Sequence, residues 1–324
     1  MRRIKLVTRR SHLALAHAAM PVIPLLAVRP GPDDMHFSLE IITTDTSGDR
    51  GKSAQFHAVV DVTPSLTNLK NAWFAEIDQA IANGIGDIGI HSAKDVPPEI
   101  HAATRLYPIM ERDDPRDVFI SRHGVAFRDL PKGACIGTSS TRRRAQLKML
   151  RPDLTFPREY KGNVTTRISY ETMDARGVDG VVLAAAGVAR LGRLVPARQL
   201  AMREYFSVEE MLPCVNQAII VAQCRRDDAQ VCGLIEQRLV HAGTALVWAA
   251  ERAALEAMNA DCANPLAIYA TRSGDSLTLL GRAYAMDGSM MVEEIASAPL
   301  ADAHAMGRML GTKLLEQIER AALW

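Results

Sequence analysis

Ala134-Cys135-Ile136-Gly137-Thr138-Ser139-Ser140-Thr141-Arg142-Arg143-Arg144 is the stretch whose reading decides the fold. Ala134-Cys135-Ile136 reads as a short strand, and Thr141 to Leu150 carries a helical pattern, so a strand runs through a small hydroxyl-rich turn into a helix. The rhythm repeats outward. Leu154-Thr155-Phe156 reads as a strand, Val164 to Met173 as a helix and Val181-Val182-Leu183-Ala184 as a strand, with Asp117-Val118-Phe119-Ile120 ahead of them all. Upstream, strand-like Phe37 to Ile42 and Ile88 to His91 flank a helix over Trp73 to Asn83, in which Phe74, Ile77, Ala80 and Ile81 form an apolar stripe. Two similar α/β lobes follow, joined near Glu111 to Arg116.

The ends complete this plan. Ile4 to Thr8 alternates as a strand, and Ser11 is placed to cap a helix beginning near His12. From about His241 the character changes, with an alanine-rich helix over Thr244 to Met258, strands at Leu277 to Leu280 and Ala283 to Ala285, and a last helix over Ala301 to Ala322. The domains expected are 1–112 with 214–236, 117–212, and a small α+β domain at 240–324. Thr44 to Lys70 reads as a long loop.

With 324 residues and 48% hydrophobic content the chain can bury a sizeable core. Its charge is unevenly spread. Between Gly137 and Arg167 there are eight Lys/Arg against two Asp/Glu, in a chain whose net charge is only +1. A local excess of this kind points to a polyanionic ligand. With 5% aromatics and a pI near 7.7, nucleic acid is not the expected partner. Arginine forks match carboxylates, so a small ligand bearing several of them fits better. Arg144, Lys148 and Arg151 are read as a solvated helix face.

No apolar run reaches the roughly 18 residues of a membrane span. Met1-Arg2-Arg3 before Leu13 to Val28, and Thr8-Arg9-Arg10, imitate export signals, but Pro21 and Pro24 break the apolar stretch and no clear cleavage site follows. The five cysteines (Cys135, Cys214, Cys224, Cys232 and Cys262) lack CxxC spacing, which points away from a disulfide framework or a zinc site and toward a reducing, cytoplasmic setting. No metal is expected.

Two single residues bear chemistry. Asp95, in His91-Ser92-Ala93-Lys94-Asp95-Val96-Pro97, lies at the carboxyl end of a strand, where ligand crevices of open α/β sheets form. An ionised Asp there can stabilise a cation or pass a proton, or it can simply cap the turn before Pro97. Cys262, in a loop ended by Pro265, is either an anchor for a covalent group or incidental.

Taken together, His91 to Pro97, Glu111 to Asp117, Gly137 to Arg143, Gly162-Asn163-Val164-Thr165-Thr166-Arg167, Leu183 to Gly192 and Cys262 with Pro265 stand in the order seen in porphobilinogen deaminases, and the chain resembles that family from about Ile4 to its last helix. The resemblance implies two periplasmic-binding-protein-like α/β lobes with a cleft between them, and a third domain whose cysteine carries a dipyrromethane cofactor. Cys262 would hold it through a thioether. Four porphobilinogen molecules would be deaminated and added in turn, and the linear tetrapyrrole hydroxymethylbilane released. Asp95 matches the catalytic aspartate. Arg9, Ser11, Ser92, Lys94, Thr138, Ser139, Ser140, Arg142, Arg143, Lys161, Arg167 and Arg190 match positions that hold pyrrole acetates and propionates. A cytoplasmic monomer is implied, with no nucleic acid or membrane partner.

The chain also departs from the family pattern. Lys161 replaces an arginine, Leu69-Lys70-Asn71-Ala72-Trp73-Phe74 replaces a glycine-rich lid, His12 replaces a proline, and Asn216-Gln217-Ala218 replaces Gly-Gln-Gly at a crossing between domains. These departures leave open a diverged paralogue making a shorter or different oligopyrrole, and a non-catalytic anion-binding protein.

Overall fold

The computed structural model describes residues 2–22, 25, 37–44, 71–192, 200, 203–260 and 264–323. The chain forms two compact units, residues 1–111 with 219–245 and residues 112–218 with 246–324.

The first unit is built on a five-stranded sheet in the order Phe37–Thr44, Arg2–Arg9, Ile88–Ser92, Ile220–Arg225, Thr104–Ile109. The first three strands are parallel, and Ile220–Arg225 runs antiparallel to both of its neighbours. Alternation assigns the two faces. Ile4, Leu6, Ile88 and Ile90 pack with Val231 and Ile235 of the helix Ala229–Arg238, whereas Val7 turns to Ile77 and Ile81 of the helix Asn71–Ala82. All four residues of the expected apolar stripe are buried. Both faces are covered, as a sheet with parallel strands requires.

The second unit holds two sheets. One has the order Ile136–Gly137, Gly180–Ala184, Asp117–Ser121, Arg203–Tyr205, its first pair parallel and the others antiparallel. Phe119, Phe127, Leu147, Val182 and Phe206 fill its core. The other is an antiparallel meander of Leu266–Ser273, Ser276–Tyr284 and Met291–Pro299. The helices Ala242–Met258 and Ala303–Ala321 meet at Gly307 and Gly311, where an added Cβ would lie 2.1 Å from Ala250 O and 2.5 Å from Ala254 O. Only glycine allows that approach.

Several elements differ from the sequence reading. Leu154 to Phe156 is not a strand but a single bridge, Cys135 to Thr155. The expected helix over Val164 to Met173 breaks at Ser169, whose extended backbone and side chain cap a second short helix through the Thr172 amide. Leu277 to Leu280 and Ala283 are parts of one strand, Ser276–Tyr284, which ends before Ala285, and at Gly281 Leu310 and Leu314 of the last helix close over it. Residues 45–70 of the expected loop lie outside the described residues.

Candidate active site

In the first unit the parallel strands Arg2–Arg9 and Ile88–Ser92 pair Leu6 with Ile88 and Val7 with Gly89, which brings Arg9 and His91 to the same sheet edge. Their carboxyl ends open into a recess of about 60 Å3 lined by Arg9, Ser11, His17, His91, Ser92 and Asp95 among others. Ser11 has a second duty, accepting a hydrogen bond from the Ala14 amide as the cap of the helix His12–Ala19. Asp95 ends the single 3-10 turn Ala93–Asp95, which Val96 closes by donating its amide to Ala93 O. Because Ala93 and Val96 are buried, the turn is anchored and Asp95 is left half-exposed at the recess. Lys94 is half-buried on the same turn.

His91 was part of the sequence motif without a role of its own. The structure gives it one wall of the recess, 6% exposed, with its ring 4.7 Å from that of Phe74. Burial, helped by the charge of Arg9, lowers its pKa to about 4 against the opposing effect of the hydrogen bond between its Nε2 and Gln223 Oε1. The signal in the sequence was its position four residues before Asp95 at the end of a strand.

In the second unit the helix Thr141–Leu150 starts as expected, with Ser140 accepting from the Arg143 amide as its cap. Arg142 and Arg143 are buried, and both turn inward to Asp117, which is fully buried on the neighbouring sheet. Arg142 Nη2 and Arg143 Nη2 each donate to it at 2.7 Å, Gln217 Nε2 at 3.0 Å. Burial alone would raise the Asp117 carboxyl, but the two guanidinium groups outweigh it and hold the pKa well below the usual carboxylate range. Sequence reasoning presented these arginines as open forks; in the structure each already holds a carboxylate. Two cations on one anion still leave a positive balance at the start of the helix.

The remaining basic and hydroxyl residues vary in freedom. Ser139 is exposed and its Oγ accepts from the Tyr160 amide, while Thr138 is buried and accepts from the Ser140 amide. Arg190 pairs with Asp113 and donates to Ala218 O, and desolvation lowers its pKa against the raising effect of Asp113. Arg167 is half-buried, and its carbonyl accepts from the Tyr160 hydroxyl. Lys161 is exposed and paired with Glu159. The reading of a solvated face needs correction for Arg144 and Arg151: Arg144 donates to Thr138 O and Pro157 O, and Arg151 to Asp153 and to loop carbonyls such as Leu130 O. Cys262 lies outside the described residues.

A sheet whose parallel strand ends open on a recess of arginine, serine and carboxylate defines an α/β protein with its ligand-type crevice at the strand ends. The chain belongs to the porphobilinogen deaminase family. The family model "Porphobilinogen deaminase, dipyromethane cofactor binding domain" matches residues 4–233 and "Porphobilinogen deaminase, C-terminal domain" residues 245–316. The chain is 39% identical to the porphobilinogen deaminase of Geobacter sulfurreducens, covering 97% of this chain and 92% of that one. It is 37% identical to that of Syntrophotalea carbinolica over 96% and 92%, and 38% to that of Geobacter metallireducens over 97% and 92%. The α/β class is borne out, and the chain is a transferase of tetrapyrrole biosynthesis with a dipyrromethane cofactor.

Proposed function

We propose that the chain condenses four porphobilinogen molecules with loss of ammonia and releases hydroxymethylbilane, with Asp95 as its proton-handling carboxylate. The observation that carries this reading is the recess at the end of the Ile88–Ser92 strand, where Asp95 shares a wall with Arg9, Ser11 and Ser92.

That donor set fits a dipyrromethane, whose acetate and propionate arms need guanidinium and hydroxyl donors; each charged hydrogen bond contributes about 1.5–3 kcal/mol. Arg9, Ser11, Ser92 and Lys94 hold carboxylates in the first unit. Thr138, Ser139, Ser140, Lys161, Arg167 and Arg190 do so in the second. Arg142 and Arg143 keep their grip on Asp117 and add net positive field. When bound, the dipyrromethane supplies the free pyrrole carbon that is extended, and Cys262 is its point of attachment. Asp95 gives a proton to the departing amine and stabilises the cation left on the substrate. The chain is read as three domains, 1–112 with 214–236, 117–212 and 240–324, and as a cytoplasmic monomer without nucleic-acid or membrane partners. No helix among the described residues is long and apolar enough to cross a membrane.

Intact mass spectrometry of the purified chain, before and after porphobilinogen is added, tests this. The expected mass exceeds the polypeptide by two pyrrole units that peptide mapping places on Cys262, and the product is the linear tetrapyrrole. An unmodified mass with no porphobilinogen consumed would refute it, and a shorter oligopyrrole would mark a diverged paralogue.

A further inference from the structure

Beside the recess a chain of buried and partly buried polar groups runs along one face of the sheet from Asp78 to the wall formed by His91. Asp78, on the helix Asn71–Ala82, accepts from Gln223 Nε2 at 2.5 Å and from Thr104 Oγ1 at 3.1 Å. Gln223 Nε2 also donates to Thr104 Oγ1 at 2.8 Å. A carboxylate only accepts, so the Gln223 amide must turn its NH2 toward Asp78 and its carbonyl oxygen away. That oxygen lies 2.9 Å from His91 Nε2. His91 Nε2 therefore carries the proton.

The ring is held in place as well as in tautomer. Phe74 packs on it, and a Cβ at Gly89 would come within 3.0 Å of Nε2 and 2.8 Å of Ile77, so glycine makes room for the imidazole. With Nε2 protonated and the ring neutral at pH 7, Nδ1 offers a lone pair. The hydrogen bond to Gln223 runs through Nε2 and leaves Nδ1 unused by it. The charged and titratable groups lining the recess beside His91 are Arg9, His17 and Asp95.

We propose that His91 is a specificity-determining residue of the recess: a neutral imidazole tied to Gln223 through Nε2–H, whose Nδ1 accepts a hydrogen bond from an N–H group of the pyrrole substrate. The inference rests on the functional reading above and deepens it. Porphobilinogen carries two kinds of polar group, carboxylates that need donors and N–H groups that need acceptors. Arg9 and Ser11 answer the first, and His91 joins the Asp95 carboxylate in answering the second, so the two kinds of group orient the ring between them.

Two substitutions in the full-length chain separate this from a merely structural histidine. His91→Gln keeps an amide where Nε2 lay, and with it the link to Gln223, but loses the acceptor at Nδ1; His91→Asn does the reverse. His91→Gln is expected to lower kcat/KM for porphobilinogen about tenfold, mainly through KM, without moving the denaturation midpoint, as loss of one hydrogen bond to substrate implies. His91→Asn is expected to stay within about threefold in kcat/KM while unfolding at lower denaturant. Nitrogen-15 NMR of the parent protein should show the Nε2–H tautomer at neutral pH, with the Nδ1 resonance moving when porphobilinogen is added. Wild-type kcat/KM in His91→Gln, or a ring protonated at Nδ1, overturns the proposal and leaves the functional reading standing. A parent chain that consumes no porphobilinogen overturns that reading, and this one with it.

Discussion

The recess of the first unit and the arginine cluster of the second are built from the same residue types and treat them in opposite ways. At the recess, Arg9, Ser11, Ser92 and Asp95 border open space. At the start of the helix Thr141–Leu150, Arg142 and Arg143 spend their hydrogen bonds inside the protein, on Asp117, Leu212 O and Val182 O. Charge density along a sequence thus locates an electropositive region without telling which cations are available. That is settled by whether a carboxylate elsewhere in the chain folds against them. In the first unit the polar chain stops at the wall of a cavity, and in the second the guanidinium groups turn to an internal carboxylate and carbonyls.

The largest effect expected is on turnover. Asp95→Asn preserves the capability to cap the turn before Pro97 and removes the ionisable carboxyl with its negative charge, so kcat is expected to fall about 10²–10⁴-fold, the range for loss of a general acid or base. Stability should stay within about 0.5 kcal/mol, since the side chain is half-exposed. Steady-state assay beside urea denaturation checks both. Normal turnover in the Asp95→Asn variant would reduce Asp95 to a turn cap and erase the contrast between the regions.

Asp117→Asn probes the other side. It leaves two buried guanidinium groups without their anion, and breaking such a pair costs about 3–5 kcal/mol. The pH dependence has a definite sign. The Asp117 pKa is depressed in the folded protein, so its stabilisation is fully present above the unfolded value of about 3.9 and is lost as the pH falls below it. Circular dichroism during acid titration should show this loss in the parent chain, and a shallower one in Asp117→Asn, which starts from lower stability at neutral pH. Equal stability of the two at pH 7 would mean that the arginines are held by something else and are freer for ligand than the structure makes them.

What could be read from the sequence followed local rules. The helix Thr141–Leu150, the Ser11 cap and the stripe Phe74, Ile77, Ala80 and Ile81 depend on spacing within a few residues, and all appear where expected. The place of Asp95 at a strand end was equally local. The helix Ala229–Arg238 was overlooked although Asp228 signals it by capping the Val231 amide. The partners were out of reach for a different reason. Asp117 meets Arg142 across 25 residues and Gln223 meets His91 across 132, and one sequence holds no local trace of such pairings. Leu154 to Phe156 failed similarly: its residues alternate well, but a single bridge is all that the adjoining strand offers.

The smallest effect sharpens the contrast, because the second unit has exceptions to its internal satisfaction, Arg142 Nε among them and both polar atoms of the Asn216 side chain. Asn216 and Ala218, just before the chain passes from the second unit back to the first, adopt φ of 59° and 69°. Asn216 is 1% exposed, and neither Nδ2 nor Oδ1 of its side chain has a hydrogen-bond partner among the described residues, although its amide donates to the buried Glu251 at 2.6 Å. A buried amide left unsatisfied costs about 1–3 kcal/mol. Replacing Asn216 with glycine removes that cost and keeps the left-handed backbone, against roughly 0.4–1 kcal/mol for the greater freedom of glycine in the unfolded chain. Asn216→Gly is therefore expected to stabilise the protein by about 1 kcal/mol. Ala218→Gly, which relieves only the left-handed penalty of about 1–2 kcal/mol, gains about 0.5. Urea midpoints of the two variants and the parent measure the order. If Asn216→Gly is instead destabilising, the amide is satisfied in solution, and the second unit closes its polar groups even more completely than the contrast with the recess requires.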